Sequence, residues 1–251
     1  MPVRIGYQNL LAAATITASG EATGFPKENG VDGIARDWWK AAASGTQWLQ
    51  FDLGAATSID YLYLYSFNLQ GGQIALQWSA DGSTGWTDII AAFTPASDVV
   101  FKSFTSVSKR YLRLYITGST AAPQIGCASV GAMLEYARGP QVGFAPVLFQ
   151  PAVGGVNETE GGYPVGSDYK LVAEDILIRF DTLSPSLTRS DWLPFFEHAK
   201  TGSPFVVSWD EVNYPNEASF CRCDPKSVKQ APYSHTAFQK YELRGKALVV
   251  S

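Results

Sequence analysis

The sequence predicts a mainly β protein of two domains with a single α-helix. From residue 9 to 136, apolar residues alternate in short runs broken by Gly, Ser, Asp and Pro, and no stretch keeps a helical period. Only residues 190–200 combine helical spacing with capping residues. The 251 residues suit one large domain or two ordinary ones, and Gly139-Pro140 interrupts either regular structure where the composition changes, which favours two. With 46% apolar and 13% aromatic residues each half has material for a core, so disorder is excluded.

In chain order, residues 46–53 place Trp48 and Leu49 on opposite faces of a strand, and 59–65 separate a tyrosine face from a leucine face. Residues 74–79 form the next strand. Asp81-Gly82 then supplies a residue tolerant of positive φ, so a tight turn leads to the strand beginning near Trp86. Residues 99–104, 111–116 and 129–136 add three more strands, enough to close two sheets over one core. After the junction, 142–151 and 171–180 read as strands flanking a Gly-rich segment, 154–167, with a protruding hairpin between them. In 190–200, Ser190 is the expected N-cap, the first turn is acidic, and residues 192, 193, 195, 196 and 199 form the apolar stripe. Pro194 falls at the end of the first turn, where its missing N–H forfeits at most one hydrogen bond. Residues 204–210, 218–223 and 241–250 complete the second half as strands.

Several function classes drop out. A net charge of −4 and no basic cluster longer than Lys109-Arg110 leave nothing to neutralise phosphates, so nucleic acid is not an expected partner. No apolar run has the length of a signal peptide or a membrane span, so the expectation is no membrane insertion and a protein that stays where it is made. Cys127, Cys221 and Cys223 are odd in number, and the last two point the same way from one strand, which suits reduced thiols in a cytoplasmic setting. His198 and His235 lie in different elements without ligand-spaced neighbours. Cys221-Arg-Cys223 lacks the second pair of a zinc knuckle, and no phosphate loop, dinucleotide fingerprint or nucleophile elbow occurs. Glu174 and Asp175 point to opposite strand faces and cannot flank one glycosidic bond. No catalytic site is read, so the expectation is not an enzyme.

Trp48-Leu-Gln-Phe-Asp-Leu-Gly54, Tyr61-Leu-Tyr-Leu-Tyr65, Trp78-Ser-Ala-Asp-Gly82 and Arg110-Tyr-Leu-Arg-Leu-Tyr115, in that order and spacing, resemble the discoidin family, the coagulation-factor type C domain. The resemblance covers residues 1–137 and implies a discoidin-like (galactose-binding-like) β jelly roll that binds sugars, lipids or proteins. Residues 138–251, with strands around a helix and then Pro204-Phe-Val-Val-Ser-Trp-Asp210, resemble by pattern the β-sandwich with one flanking helix of tail-tube and distal-tail proteins of long-tailed bacteriophages. Together the halves imply a structural virion component of a tail tip or baseplate, assembled in the host bacterial cytoplasm. Such a protein would oligomerise with itself into a ring beside other tail proteins and display the discoidin-like domain for protein or host-glycan contact. The alternative is a soluble carbohydrate-binding lectin with a C-terminal oligomerisation domain, whose sugar binding survives in residues 1–137 and is lost in Trp39→Ala or Asn68→Ala.

The discoidin resemblance places binding in loops at one barrel end, here 20–29, 36–45, 67–73 and 91–98. It puts the family's buried Trp at Trp38, which leaves Trp39 to stack on a sugar face. Asn68, Gln70 and Gln73 offer amides for hydroxyl recognition, although Asn68-Leu-Gln-Gly-Gly also reads as an ordinary polar turn. Asp32-Gly33 matches a position where some members of the wider fold ligate calcium, with Glu28 or Asn29 nearest, yet a lone Asp-Gly pair is more often simply a turn. No other cofactor is expected.

Overall fold

The strands form where β-branched and aromatic residues alternate with polar ones, and one of them does more than its local pattern foretells. In this computed structural model, which describes residues 2–137, 153–170, 174–231 and 239–248, the chain is mainly β and divides into two units. The first is Met1–Gly139 with Phe205–Ala218, and the second is Pro140–Pro204 with Ser219–Ser251. The units differ from the expected split at 137/138 in two respects: the first break falls at 139/140, and residues 205–218 belong with the first unit.

In the first unit the strands are β1 (Val3–Gly6), β2 (Thr15–Ala18), β3 (Trp39–Lys40), β4 (Gly45–Asn68), β5 (Gln73–Ser79), β6 (Thr87–Phe93), β7 (Val99–Ser119), β8 (Gln124–Gly131) and β9 (Met133–Tyr136). They build a jelly roll with strand order β3-β8-β4-β7-β5-β6, and β2 pairs with β4. Where the sequence suggests two strands each for 46–65 and 99–116, the structure has the single long strands β4 and β7. Their mutual register shifts between Asp52 and Thr57. Gly54, at φ 77°, donates its N–H to Asp52 Oδ1 there, so a bulge rather than a break re-aims the strand. One strand therefore pairs with β2 along its first half and with β8 along its second.

The inward residues are Leu49, Phe51, Ile59, Leu62 and Leu64 of β4, facing Leu112, Leu114 and Ile116 of β7, with Trp39 among them. The second half of β4 is also buried on its other face, through Tyr61, Tyr63 and Tyr65. Tyr61 stacks on Phe101 at 5.8 Å between centroids and donates its hydroxyl to Gln8 O at 2.8 Å. It lies so close to β1 that a Cβ on Gly6 would stand 2.6 Å from its ring. Asn9 closes this end of the roll: its Oδ1 accepts from Leu11 N, capping a short 3-10 turn, while Nδ2 reaches Val31 O and Ala128 O.

The unit is completed by β13 (Phe205–Ser208), which pairs antiparallel with one edge of β1 while β9 pairs with the other. Arg4 of β1 donates to Glu135, to Ser103 Oγ and to Glu211, whose second oxygen accepts Ser103 N at 2.6 Å.

The second unit contains a hairpin of β10 (Val153–Glu158) and β11 (Pro164–Lys170), within the Gly-rich segment where one is expected. A sheet follows in the order β12 (Glu174–Leu183), β16 (Gln239–Leu248), β14 (Ser219–Cys223), and β15 (Lys229–Ala231) also pairs with β16. Its helical segment begins earlier than the expected 190, with α1 (Pro185–Leu187), a π-helical turn (Thr188–Trp192) and α2 (Leu193–Lys200). Ser184, not Ser190, caps it, accepting Leu187 N on its hydroxyl and Thr188 N on its carbonyl. The π turn has a local cause. Pro194 cannot donate and its ring would strike the carbonyl four residues back, and the widened turn has Leu193 N bonding Thr188 O, five residues back. Trp192, Phe195 and Phe196 face inward, with Trp192 4.6 Å from the Phe180 ring and Phe196 4.2 Å from that of Tyr241. The three cysteines are buried and form no disulfide, and burial pushes the Cys223 thiol up to about 12. The expected strand 142–151, His235, and the side chains of Glu174 and Asp175 lie outside the described residues. Among those described, no helix is long and apolar enough to cross a membrane.

Candidate functional site

At the end of β4 the chain makes a turn that its own side chains enforce. Asn68 Oδ1 accepts Gln70 N at 2.9 Å, and Gly72 N reaches Leu69 O at 2.9 Å. Gln70 is thereby held at φ 53°, a left-handed conformation that costs a non-glycine residue roughly 1–3 kcal/mol. The surroundings over-determine it: Thr120 donates to Gln70 O through both N–H (3.1 Å) and hydroxyl (2.9 Å), and Leu69 is buried. Among the described residues the only other non-glycine one at positive φ is Ser66, two residues before Asn68, whose hydroxyl donates to Ala35 O and accepts Trp38 Nε1. Both strained positions among the described residues therefore sit at this end of β4.

The turn forms one side of a cavity of about 330 Å³, lined by residues 67–72 and, opposite, by residues 94–98 between β6 and β7. Its lining mixes the amides of Asn68 and Gln70, the hydroxyls of Thr94 and Ser97, the ring of Phe67, and one ionisable side chain, Asp98. Amides and hydroxyls both donate and accept, so the wall matches a ligand rich in hydroxyl groups. No Lys or Arg lines the cavity, so it lacks the partner an anionic headgroup needs.

Two of the four expected loops, 67–73 and 91–98, thus come together, and Asn68 and Gln70 share the cavity. Gln73 is exposed at the start of β5 and does not line it. Trp39 is a correction. It is 0% exposed in the core, with Nε1 donating to Gly20 O at 3.1 Å, so it cannot meet a ligand. Because β3 pairs Trp39 with Ile125, its side chain turns inward and the half-buried Trp38 lies on the other face, the reverse of the expected assignment. Asp32 is exposed, and its Oδ1 accepts Ile34 N at 2.7 Å within a turn. Partial burial first, and then nearby Asp37, raise its pKa. No three His, Cys, Asp or Glu side chains converge on a metal-sized site among the described residues. His198 bonds Pro204 O through Nε2 at 2.9 Å after α2, a structural role.

The sequence reading missed the segment after β13. Ser97 Oγ on the cavity rim, whose proton goes to Val99 O at 2.7 Å, lies 3.3 Å from the side-chain amide of Asn216, in a loop far along the chain but within the same unit. The one signal for that loop was the polar, turn-forming run Asp210-Glu-Val-Asn-Tyr-Pro-Asn216 between two strands.

Residues 15–129 match the F5/8 type C domain. The first chitosan-binding module of a chitosanase/glucanase from Paenibacillus sp. IK-5 is similar to this chain at 24% identity and a TM-score of 0.45, covering 50% of this chain and all (100%) of its own. A pectin-binding carbohydrate-binding module is 22% identical, with a TM-score of 0.41 over 50% of this chain and 92% of that one. A module of AlyQ solved with 4,5-unsaturated mannuronic acid is 24% identical, with a TM-score of 0.41 over 50% and 96%. No curated protein matches the chain. None of these findings concerns a phage tail, so the resemblance noted for the second half gains no support from them.

Proposed function

We propose that the first unit is a non-catalytic carbohydrate-binding module, and that the cavity between residues 67–72 and 94–98 holds a sugar unit. The observation that carries this reading is the strained, over-determined Gln70 turn in the cavity wall. A polar turn of no consequence has no reason to hold a glutamine at positive φ with three hydrogen bonds, whereas a preorganised wall avoids ordering costs on binding. The F5/8 type C match supports it at the level of the domain.

The charge of the lining narrows the ligand. Asp98 is exposed, so its attraction for an ammonium group is worth only about 0.2–1 kcal/mol, a few-fold in affinity, and it opposes a uronic carboxylate by a similar amount. Neutral and amino sugars are favoured over acidic ones. The test is calorimetry of the full-length protein with trisaccharides of glucosamine, N-acetylglucosamine and galacturonic acid. Binding in the order amino, neutral, acidic is expected, and Asp98→Asn should erase the preference for the first over the second. Asn68→Ala, which removes an amide and the brace on Gln70, should weaken binding at least tenfold. If the wild-type protein binds none of the three, nor any glycan on an array, the reading fails.

A further inference from the structure

The cavity offers many hydrogen bonds and little stacking surface, since Phe67 is its one aromatic residue and is half-buried. An aromatic surface stands beside it. The loop that follows β13 is fixed at every turn: Asp210 accepts Asn213 N and Nδ2 on its carboxylate and Tyr214 N on its carbonyl, and Glu217 N reaches Tyr214 O. Trp209 donates its indole N–H to Glu217 Oε2 at 2.9 Å, and its ring stacks on Tyr214 at 4.9 Å and 18°. Glu211 is bonded to Ser103 N and to Arg4. On this fixed base Tyr214 keeps 47% of its surface exposed and Val212 81%. One face of the Tyr214 ring is occupied by Trp209, and the loop touches the cavity rim through Asn216 and Ser97, only two residues from Tyr214.

We infer that the 209–217 loop extends the cavity into a cleft, and that the Tyr214 ring, backed by Trp209, is the platform on which a second sugar of the same chain stacks. The inference rests on the carbohydrate-binding reading and adds to it a length preference: the cavity takes one sugar and the loop the next. The occupant is an oligosaccharide, because the contact of Asn216 with Ser97 puts the loop at the cavity rim and Tyr214 two residues from that contact. An isolated sugar would leave the ring unused.

The discriminating experiment is calorimetry of the full-length protein, Tyr214→Ala and Tyr214→Phe with glucosamine and with its β-1,4 trisaccharide, each variant checked for an unchanged melting temperature. The wild type is expected to bind the trisaccharide more tightly than the monosaccharide. Tyr214→Ala should lose about five- to tenfold for the trisaccharide only, and Tyr214→Phe, which keeps the ring, should match the wild type. Equal trisaccharide binding by Tyr214→Ala and wild type, with Asn68→Ala still impaired, overturns the second subsite and leaves the cavity reading standing. A Tyr214→Ala loss that is the same for both ligands also overturns it, since the loop would then only shape the cavity. No binding of either ligand by the wild type removes both readings together.

Discussion

Trp38 and Trp39 are adjacent, but only Trp39 is wholly enclosed, so the two indoles do different work. Truncating Trp39 should cost about 3–5 kcal/mol of stability, read from chemical denaturation, through lost burial, the cavity left behind and an orphaned Gly20 carbonyl. Loss of sugar binding in Trp39→Ala would thus report unfolding and not a lost contact. A second residue sets part of the acid response. Asp81 lies in the β5–β6 turn, where the Thr84 and Ser83 N–H groups, then the Thr84 and Ser79 hydroxyls, hold its carboxyl far below the usual carboxylate range. A folded pKa that is depressed contributes stability above the unfolded value and loses it as pH falls towards the folded one. The stability difference between wild type and Asp81→Asn should therefore be largest at neutral pH and shrink below the ordinary carboxylate pKa, as acid titrations at fixed denaturant would show. At this scale the sequence was legible where the chemistry is local. The turn that carries Asn68 and Gln70 was legible because Asn ahead of a Gly pair makes its own turn. The choice between Trp38 and Trp39 depends on which strand β3 pairs with, and no neighbouring residue records that.

Among elements, the outer face of the β4–β7–β5 sheet shows how aromatic and cationic residues cover a half-exposed surface. Arg113 of β7 lies between the rings of Trp86 and Tyr115, 4.3 and 4.4 Å from its guanidinium carbon, and its Nε donates to Gln77 Oε1 at 2.6 Å. Lysine at this position cannot form a planar stack on two rings, so Arg113→Lys should destabilise the protein by roughly 1–2 kcal/mol in thermal or chemical unfolding. Strand positions were readable from alternation, and 74–79 fell within one residue of β5. Strand continuity was not. The Gly54-Ala-Ala segment looks like a turn to a local pattern, and only its pairing with β7 makes it a bulge. The helix start erred for a related reason, because Ser190 has a cap's composition but the preceding residues are already helical from Pro185.

At the scale of the molecule, the F5/8 type C match begins at residue 15 and ends at 129, so it leaves out the ribbon of β9, β1 and β13. Residues 1–137 produced alone would keep the jelly roll but lose β13, the Glu211 bonds to Arg4 and Ser103, and the Asn216 contact to Ser97. That fragment should melt about 5–10 °C lower than a circular permutant or a linked chain that restores 205–218. The expected tail-ring assembly has its own test: the mass of the full-length protein in solution, where a strict monomer would remove it. The two-domain plan was visible in the Gly139-Pro140 break, but the return of 205–218 to the first unit was not, since pairing with β1 leaves no mark on either segment. That return has a consequence in time. Arg4 and Glu211 are 207 residues apart in sequence, so during synthesis the jelly roll can fold early while β1 waits with one edge unpaired until residues 205–208 have left the ribosome. The 209–217 loop is then the last part of the first unit to be finished, and a chain cut short before residue 205 would carry the jelly roll without β13 and without the loop that meets Ser97.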